Sequence, residues 1–307
     1  MNTQDTKSAF VAIIGVPNVG KSSLLNAFVG EKVAIVSKKP QTTRNRITGI
    51  LTRGDTQLVF IDTPGMHKPR TRLSQYMVRQ VQEGMSGVDV TLLLTEPAGA
   101  ITPVEEELLA TLKARKSKAI LVLNKLDTLR QKDLMMPKIQ AFSQRYDFDA
   151  VFPISALTGE RVGELLDVVG GYAKPGPHFF DPDSFTDQPE RVLVAEIIRE
   201  KLLNNLRDEL PHGTAVGIES MKERAENEDK DGNSREIMDI EAIIFCERAS
   251  HKGMIIGKKG AMLKKIATEA REEIEGFLDI KVNLQCWVKV KEDWRNREGI
   301  MRQFGFQ

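Results

Sequence analysis

Cysteine is nearly absent: only Cys246 and Cys286 occur in 307 residues, each inside an apolar run, IEAIIFC and VNLQCWVKV. Two isolated thiols exclude a disulfide scaffold and fit a reducing compartment. With no CxxC or Cys/His spacing and only four scattered histidines, the chain offers no pattern for a zinc centre. It also lacks a long hydrophobic run. The stretch FVAIIGV after the polar MNTQDTKS is too short for a membrane span or a signal-peptide core, so neither is expected. Net charge is almost missing too, +1 from 44 Lys+Arg and 43 Asp+Glu. A nucleic-acid partner would therefore be held by a local patch and not by bulk charge.

The apolar and charged shares, 41% and 28%, are those of a globular chain, and the length favours two domains of unequal size. From Phe10 to Tyr172 short β-rich runs (FVAIIGV, TQLVFID, VTLLLTE, AILVLNK, VFPIS) alternate with amphipathic stretches, including KSSLLNAFVG, VEEELLATLKA, residues 134–146 and RVGELLDVVGGY. That rhythm predicts an α/β fold with a doubly wound, mostly parallel sheet. The neighbouring runs 46–53 and 57–62, joined at Gly54 and Asp55, predict one antiparallel edge. Residues 174–190 hold four prolines and no periodicity and read as a semi-rigid linker. This sets domains at 8–173 and 191–307. The second domain reads as helix, strand, charged turn, strand, helix, strand and a last helix from Trp294, an α+β unit on a three-stranded sheet. The acidic run ENEDKD, residues 226–231, reads as an exposed hairpin turn.

Gly15-Val16-Pro17-Asn18-Val19-Gly20-Lys21-Ser22 fits GxxxxGK[ST] between a strand and a helix, the context of a phosphate-binding loop. Backbone N–H groups and the helix N-terminus would face phosphate oxygens, Lys21 would reach the β- and γ-phosphates, and Ser22 would ligate Mg²⁺. Ser23 continues the loop. Asp62-Thr63-Pro64-Gly65 ends a strand at the carboxyl edge of the sheet, where Asp62 is placed to hold Mg²⁺ and the Gly65 N–H to meet a γ-phosphate. Asn124-Lys125-Leu126-Asp127 ends another strand. Asp127 can accept from guanine N1–H and its exocyclic amine, which selects GTP over ATP. Ser155-Ala156-Leu157 would offer backbone N–H groups to guanine O6.

In this order the four motifs resemble the GTPase branch of the P-loop NTPases over residues 10–172. The resemblance implies GTP and GDP as ligands, and a switch threonine, Thr42 or Thr43, closing on Mg²⁺, with Thr43 favoured. The metal set is then Ser22, Thr43 and Asp62, and the catalytic set Lys21, Thr43 and Gly65. The second switch would run from Gly65 to about Gly84. Met66 stands where Ras-like enzymes carry the glutamine that orients water, so slow intrinsic turnover is expected. Asn18 resembles the residue that binds K⁺ in potassium-activated relatives.

Gly257-Lys258-Lys259-Gly260 opens a helix, within a stretch (248–265) whose charges, Arg248, Lys252, Lys258, Lys259, Lys264 and Lys265, are all basic. This resembles the GxxG loop of a type II KH domain and implies RNA contact through Ile255, Ile256, Gly257, Lys258, Lys259, Gly260 and Lys264. A GTPase domain followed by such a module resembles the Era family of bacterial ribosome-assembly GTPases, with DTPGMHKPRTRLSQYM, AEIIREKLL, DELP and CWVKVKEDW adding to the match. The resemblance implies a monomeric GTP-driven switch in 30S subunit biogenesis that binds 16S rRNA near its 3′ end. It also implies a cytoplasmic location with peripheral inner-membrane association. The competing reading is a membrane-signalling GTPase using the KH-like module for protein docking. An RNA-modification enzyme is disfavoured, since no catalytic cysteine or second cofactor motif is present. Trp287 and Trp294 read as core or interface residues.

Overall fold

The computed structural model describes residues 6–225 and 236–306; the acidic run 226–231, expected as a hairpin turn, lies outside the described residues. The chain divides into two compact units whose main boundary falls between Asp187 and Gln188.

The first unit runs β1 (Lys7–Gly15), α1 (Lys21–Val29), β2 (Ile47–Arg53), β3 (Thr56–Asp62), α2 (Arg72–Gly84), β4 (Val90–Thr95), α3 (Pro103–Arg115), β5 (Ala119–Leu123), α4 (Met136–Ser143), β6 (Ala150–Pro153) and α5 (Val162–Gly170). Its strands lie in the order β2-β3-β1-β4-β5-β6. All pairings along this path are parallel except β2 with β3, the expected antiparallel edge. β4 and β5 are buried along their whole length, as befits strands covered on both faces. One apolar cluster packs Ile13, Leu24, Phe28, Phe60 and Leu165, and another Ile14, Val81, Leu93, Leu109 and Phe142. Because Ile13 and Ile14 point to opposite faces of β1, the two clusters occupy opposite sides of the sheet. The carboxyl ends of β1, β3 and β5 therefore open at one rim, which is where the motif residues sit.

An ion pair ties two helices under that rim. Thr102 caps α3 in a reciprocal capping box with Glu105, and Pro103 opens the helix. The Glu105 carboxylate also accepts from the Thr95 hydroxyl and lies 3.2 Å from Lys138 Nζ, with both side chains almost fully buried. Burial pushes its pKa up, but the hydrogen bonds from Thr95 and Thr102 and the Lys138 charge outweigh this and leave it below the ordinary value. Lys138→Ala is expected to destabilise the first unit by about 3–5 kcal/mol, the range for orphaning one member of a buried pair, measured by urea unfolding. A depressed glutamate pKa adds stability above its unfolded value, about 4.3, and loses it as pH falls through the lower folded value. The gap between wild type and Glu105→Gln should accordingly close in acid.

Residues 174–187, expected as part of a linker, belong instead to the first unit. Lys174–Pro175 forms β7, antiparallel to the start of β1. The Gln57 side chain, fully buried in β3, accepts from Phe179 N at 2.7 Å and donates to Phe180 O at 2.9 Å. Ile50 N donates to Phe185 O at 2.9 Å, and Thr186 Oγ1 donates to Thr48 O at 2.7 Å. The segment is a strap that caps polar groups of β2 and β3, and its prolines suit an extended path without ladder donors.

The second unit comprises α6 (Glu190–Asn205), β8 (Ala215–Ala225), β9 (Glu236–Cys246), α7 (Ala249–Ile256), α8 (Ala261–Leu278), β10 (Lys281–Val290) and α9 (Glu298–Gln303). The sheet order is β10-β9-β8, with β9 and β10 parallel and β8 antiparallel to β9. Ile266, Ala270 and Ile274, one helical turn apart on α8, pack with Val194, Ile198 and Leu202 of α6 over Ile240 and Ile244 of β9. Two helices, α7 and α8, follow β9, one more than periodicity alone predicted and in keeping with the α-β-β-α-α-β order that the type II KH resemblance implied. Trp294 opens a short 3-10 turn, Trp294–Asn296, before α9. It is wholly buried and donates from Nε1 to Gly213 O at 2.9 Å. Among the described residues no helix is long and apolar enough to cross a membrane.

Candidate functional site

β1 ends at Gly15, and after five intervening residues α1 begins at Lys21. Gly20 caps the helix at φ 100, and a Cβ there would lie 2.2 Å from Asn124 Nδ2, so both conformation and space require glycine. The free N–H groups of the first turn of α1 make an anion seat. Lys21 is buried at 6% exposure, and its ammonium donates to Val16 O at 3.0 Å and Gly15 O at 3.3 Å. Burial lowers its pKa to about 8, against the pull of Asp62. Val19 lies in the core, which fixes the back of the loop.

Facing Lys21 is Asp62, at the last position of β3. Ser22 Oγ donates to Asp62 Oδ2 at 2.6 Å, and Ser22 Oγ lies 2.9 Å from Thr43 Oγ1. Burial pushes the Asp62 carboxyl up to about 6, opposed by Lys21, Ser22, Thr63 and Thr43. Its Oδ1 is buried with no hydrogen-bond partner. Two hydroxyls and a carboxylate with a spare buried oxygen are the hard donors a divalent cation takes. Of the two candidate threonines, Thr43 is the one seen in this cluster. The loop before it is anchored by Asn26 of α1, which donates to Ala34 O at 2.8 Å and accepts from Ala34 N at 2.9 Å.

Thr63 Oγ1 donates to Ile13 O at 2.9 Å, and Met66 N donates to Gly15 O at 3.2 Å, so the DTPG turn is pinned to the phosphate loop. A Cβ on Gly65 would stand 2.6 Å from Pro17 Cα. Met66 is buried in the cluster of Val81 and Met85. Its side chain packs the second switch against the sheet and has no means of orienting water. Leu73, Tyr76, Met77 and Val81 give α2 one buried face.

At the other end, Asn124 donates to Val19 O and accepts from Ala156 N, both at 2.9 Å. It braces the phosphate loop against the Ser155-Ala156-Leu157 turn. Ala156 N–H, expected to face guanine O6, is engaged by this brace. Lys125 takes a left-handed φ of 71 and pairs with Glu96 at 2.6 Å, leading into the turn Leu126–Thr128. Ser155 Oγ donates to Asp127 Oδ1 at 2.5 Å and accepts from Thr158 N at 3.2 Å, which fixes the carboxylate's rotation. Leu157 is exposed.

In the second unit, Gly257 (φ 72), Lys259 (φ 52) and Gly260 (φ 80) share positive φ, turning the chain between α7 and α8. A Cβ on Gly257 would meet Met262 Cβ at 2.7 Å. Lys258, Lys259 and Lys264 are exposed and Ile256 is half-buried. Ile255 corrects the sequence expectation: it is wholly buried in the core and offers nothing to a ligand. The preceding residue, Met254, is the exposed one at 60%, because one helical step turns the side chain by about 100°.

A family model described as 50S ribosome-binding GTPase matches residues 10–125, and a KH domain model matches residues 209–295. GTPase Era of Clostridioides difficile is 48% identical over 300 residues, covering 98% of both chains. GTPase Era of Ruminiclostridium cellulolyticum is 48% identical over 301 residues at the same coverage. The chain belongs to the Era family. Like other Era proteins it is a GTPase, a P-loop domain followed by a KH domain. A crystal structure of Era in complex with MgGDPNP and nucleotides 1506–1542 of 16S ribosomal RNA matches with TM-score 0.91 and 37% identity, over 98% of this chain and 99% of that one. A variant of Aquifex aeolicus Era bound to GDP and aluminium tetrafluoride matches with TM-score 0.91 and 36% identity at the same coverage.

Of the residues expected at the Era-type nucleotide site, the structure joins Lys21, Ser22, Thr43 and Asp62 in one buried cluster, and Asn124, Asp127, Ser155 and Ala156 in one hydrogen-bonded group. Sequence reasoning missed Asn26, Thr95, Glu105 and Lys138. The capping-box spacing of Thr102 and Glu105 was the one available signal among them.

Proposed function

We propose that this Era-family GTPase is a nucleotide-controlled RNA switch whose KH unit binds the 3′ end of 16S rRNA during 30S subunit biogenesis. The observation that carries it is the direct contact of Thr43, in the first switch loop, with the Ser22–Asp62 pair. A loop whose hydroxyl ends on the phosphate and metal donors is ordered when they are filled and released when the γ-phosphate leaves. Mg²⁺ fits here: Ser22, Thr43 and Asp62 would hold it, and it would neutralise charge between the β- and γ-phosphates. Lys21 and the first turn of α1 hold the phosphates, and Asp127, oriented by Ser155, reads the guanine edge. The relative solved with nucleotides 1506–1542 of 16S rRNA supports the RNA assignment, as do the exposed lysines of the GKKG turn.

A ligand moves such an equilibrium only through different affinity for its two states. The GTP-analogue-bound and GDP-bound forms are thus expected to differ at least about fivefold in affinity for a 16S 3′-end RNA, the lower end of ordinary coupling, read by fluorescence anisotropy. Equal affinities would reduce the protein to a tethered RNA binder. K⁺ at Asn18 is a second element of the proposal, resting on the resemblance of this phosphate-loop residue to the one that binds K⁺ in potassium-activated relatives. Faster hydrolysis in potassium than in sodium buffer is expected, and equal rates remove the ion. A cytoplasmic working place with peripheral inner-membrane association completes the reading, and cell fractionation tests it.

A further inference from the structure

The two loops that would follow the γ-phosphate are joined by a side-chain hydrogen bond that lies outside the nucleotide motifs. Asn45 and Arg46 are the last residues of the first switch loop before β2 begins at Ile47. Tyr76, in the second turn of α2, donates from Oη to Asn45 Oδ1 at 3.1 Å. Its ring belongs to the buried face of that helix. Packing alone asks for no hydroxyl there, since phenylalanine would fill the same space, and a buried phenol brings a polar group that must find a partner. Burial, and after it the Glu83 carboxylate, push the phenol above its ordinary range against Arg46 and Arg79, so Oη keeps its proton and donates. A second contact lies along the same helix. A Cβ on Gly84, the last residue of α2, would stand 2.7 Å from Thr63 Cγ2, 3.3 Å from Ile61 Cγ2 and 3.7 Å from Arg46 Cδ. The exit of the first switch loop and the DTPG turn thus meet at one end of α2, with no room for a side chain between them.

These contacts connect the two residues placed to sense a γ-phosphate. Thr43 Oγ1 lies 2.9 Å from Ser22 Oγ, and Asn45 follows two residues later, about 7 Å of chain at full extension. Holding Asn45 therefore restrains Thr43. On the other side Gly65 is followed by Met66, which packs in one cluster with Val81 of α2. A shift of the DTPG turn is carried by α2, and the Tyr76 hydroxyl carries it on to Asn45.

We propose that Tyr76 is a positioning residue for the triphosphate-bound site, its hydroxyl holding Asn45 so that Thr43 closes on the metal and γ-phosphate together with the Gly65 turn. The inference rests on the reading of Thr43 as the threonine that closes there, and it adds the residue that keeps Thr43 in place. GDP has no γ-phosphate for either loop to close on, so the bond favours the triphosphate over the diphosphate.

The test uses the full chain with Mg²⁺ and two fluorescent ligands, a nonhydrolysable GTP analogue and GDP. Tyr76→Phe keeps the ring and removes only the hydroxyl. It is expected to weaken the analogue by about two- to tenfold, the contribution of one neutral hydrogen bond, and to leave GDP affinity unchanged. Asn45→Ala should cause the same loss, and the double variant no more than either alone, because each removes the same bond. Losses that add in the double variant overturn the proposal. Equal weakening of both nucleotides overturns it too, since the hydroxyl would then support the pocket as a whole. Thr43→Ala separates this inference from the reading beneath it. If that variant binds the analogue as wild type does, the reading of Thr43 fails and takes the role of Tyr76 with it, whereas a loss in Thr43→Ala beside unchanged affinity in Tyr76→Phe overturns the role of Tyr76 alone.

Discussion

Replacing Lys21 with alanine is expected to weaken GTP and GDP binding by roughly two to three orders of magnitude, the equivalent of removing one partner of a buried charged pair. The side chain is held by the carbonyls of Val16 and Gly15 at the mouth of a helix N-terminus, so its charge sits where phosphate oxygens converge. Burial has already lowered its pKa to about 8. A bound polyphosphate favours the charged form and should return the group to full protonation. In the alanine variant Asp62 loses the nearby cation that opposes its burial, and the site turns from cation-balanced to anionic. Titration of a fluorescent guanine nucleotide measures the effect, with circular dichroism as the check that the fold persists. Affinity within a few-fold of wild type would show that the backbone alone holds the phosphates.

Asp127→Asn should change which purine binds more than how tightly purines bind overall. Guanine presents N1–H and an exocyclic amine, both donors, to a carboxylate that accepts. Asparagine puts a donor in place of one acceptor, so guanine meets donor against donor and GTP affinity is expected to fall by roughly three orders of magnitude, within the discrimination of sites built on such pairs. Xanthine carries a carbonyl where guanine carries the amine, and XTP affinity should rise in step. The Ser155 hydroxyl donates to Oδ1, the atom that remains an oxygen in the variant, so the side chain keeps its orientation and Nδ2 takes the base-facing place. Competition between GTP and XTP reads the switch. Retained tight binding of GTP alone would mean that the guanine edge is read elsewhere.

The nucleotide motifs were legible because each is a contiguous run with its own backbone geometry, and strand ends bring them to one rim in any doubly wound sheet. Their division of labour was less visible. Asn124 lies in the base-reading run, yet its amide spans the Val19 carbonyl and the Ala156 N–H, a bridge over long sequence separation that spacing does not encode. The strap at 174–187 was hidden for a similar reason. Its prolines carry no periodicity, and the only hint was a glutamine, Gln57, directly before the apolar run Leu58–Ile61 of β3. Ile255 misled because an apolar residue beside GxxG suits either a base groove or the core, and only the helical phase of α7 decides between them. Thr43 was separable from Thr42 once the Ser22 hydroxyl showed which of the two it meets.

The Asn124 amide makes the two halves of the nucleotide pocket a single mechanical part. Any attempt to retool this enzyme for an unnatural purine should vary position 127 and spare 124. Trimming the amide would slacken the loop around Val19 and Gly20, and the engineered chain would lose its hold on every triphosphate at once.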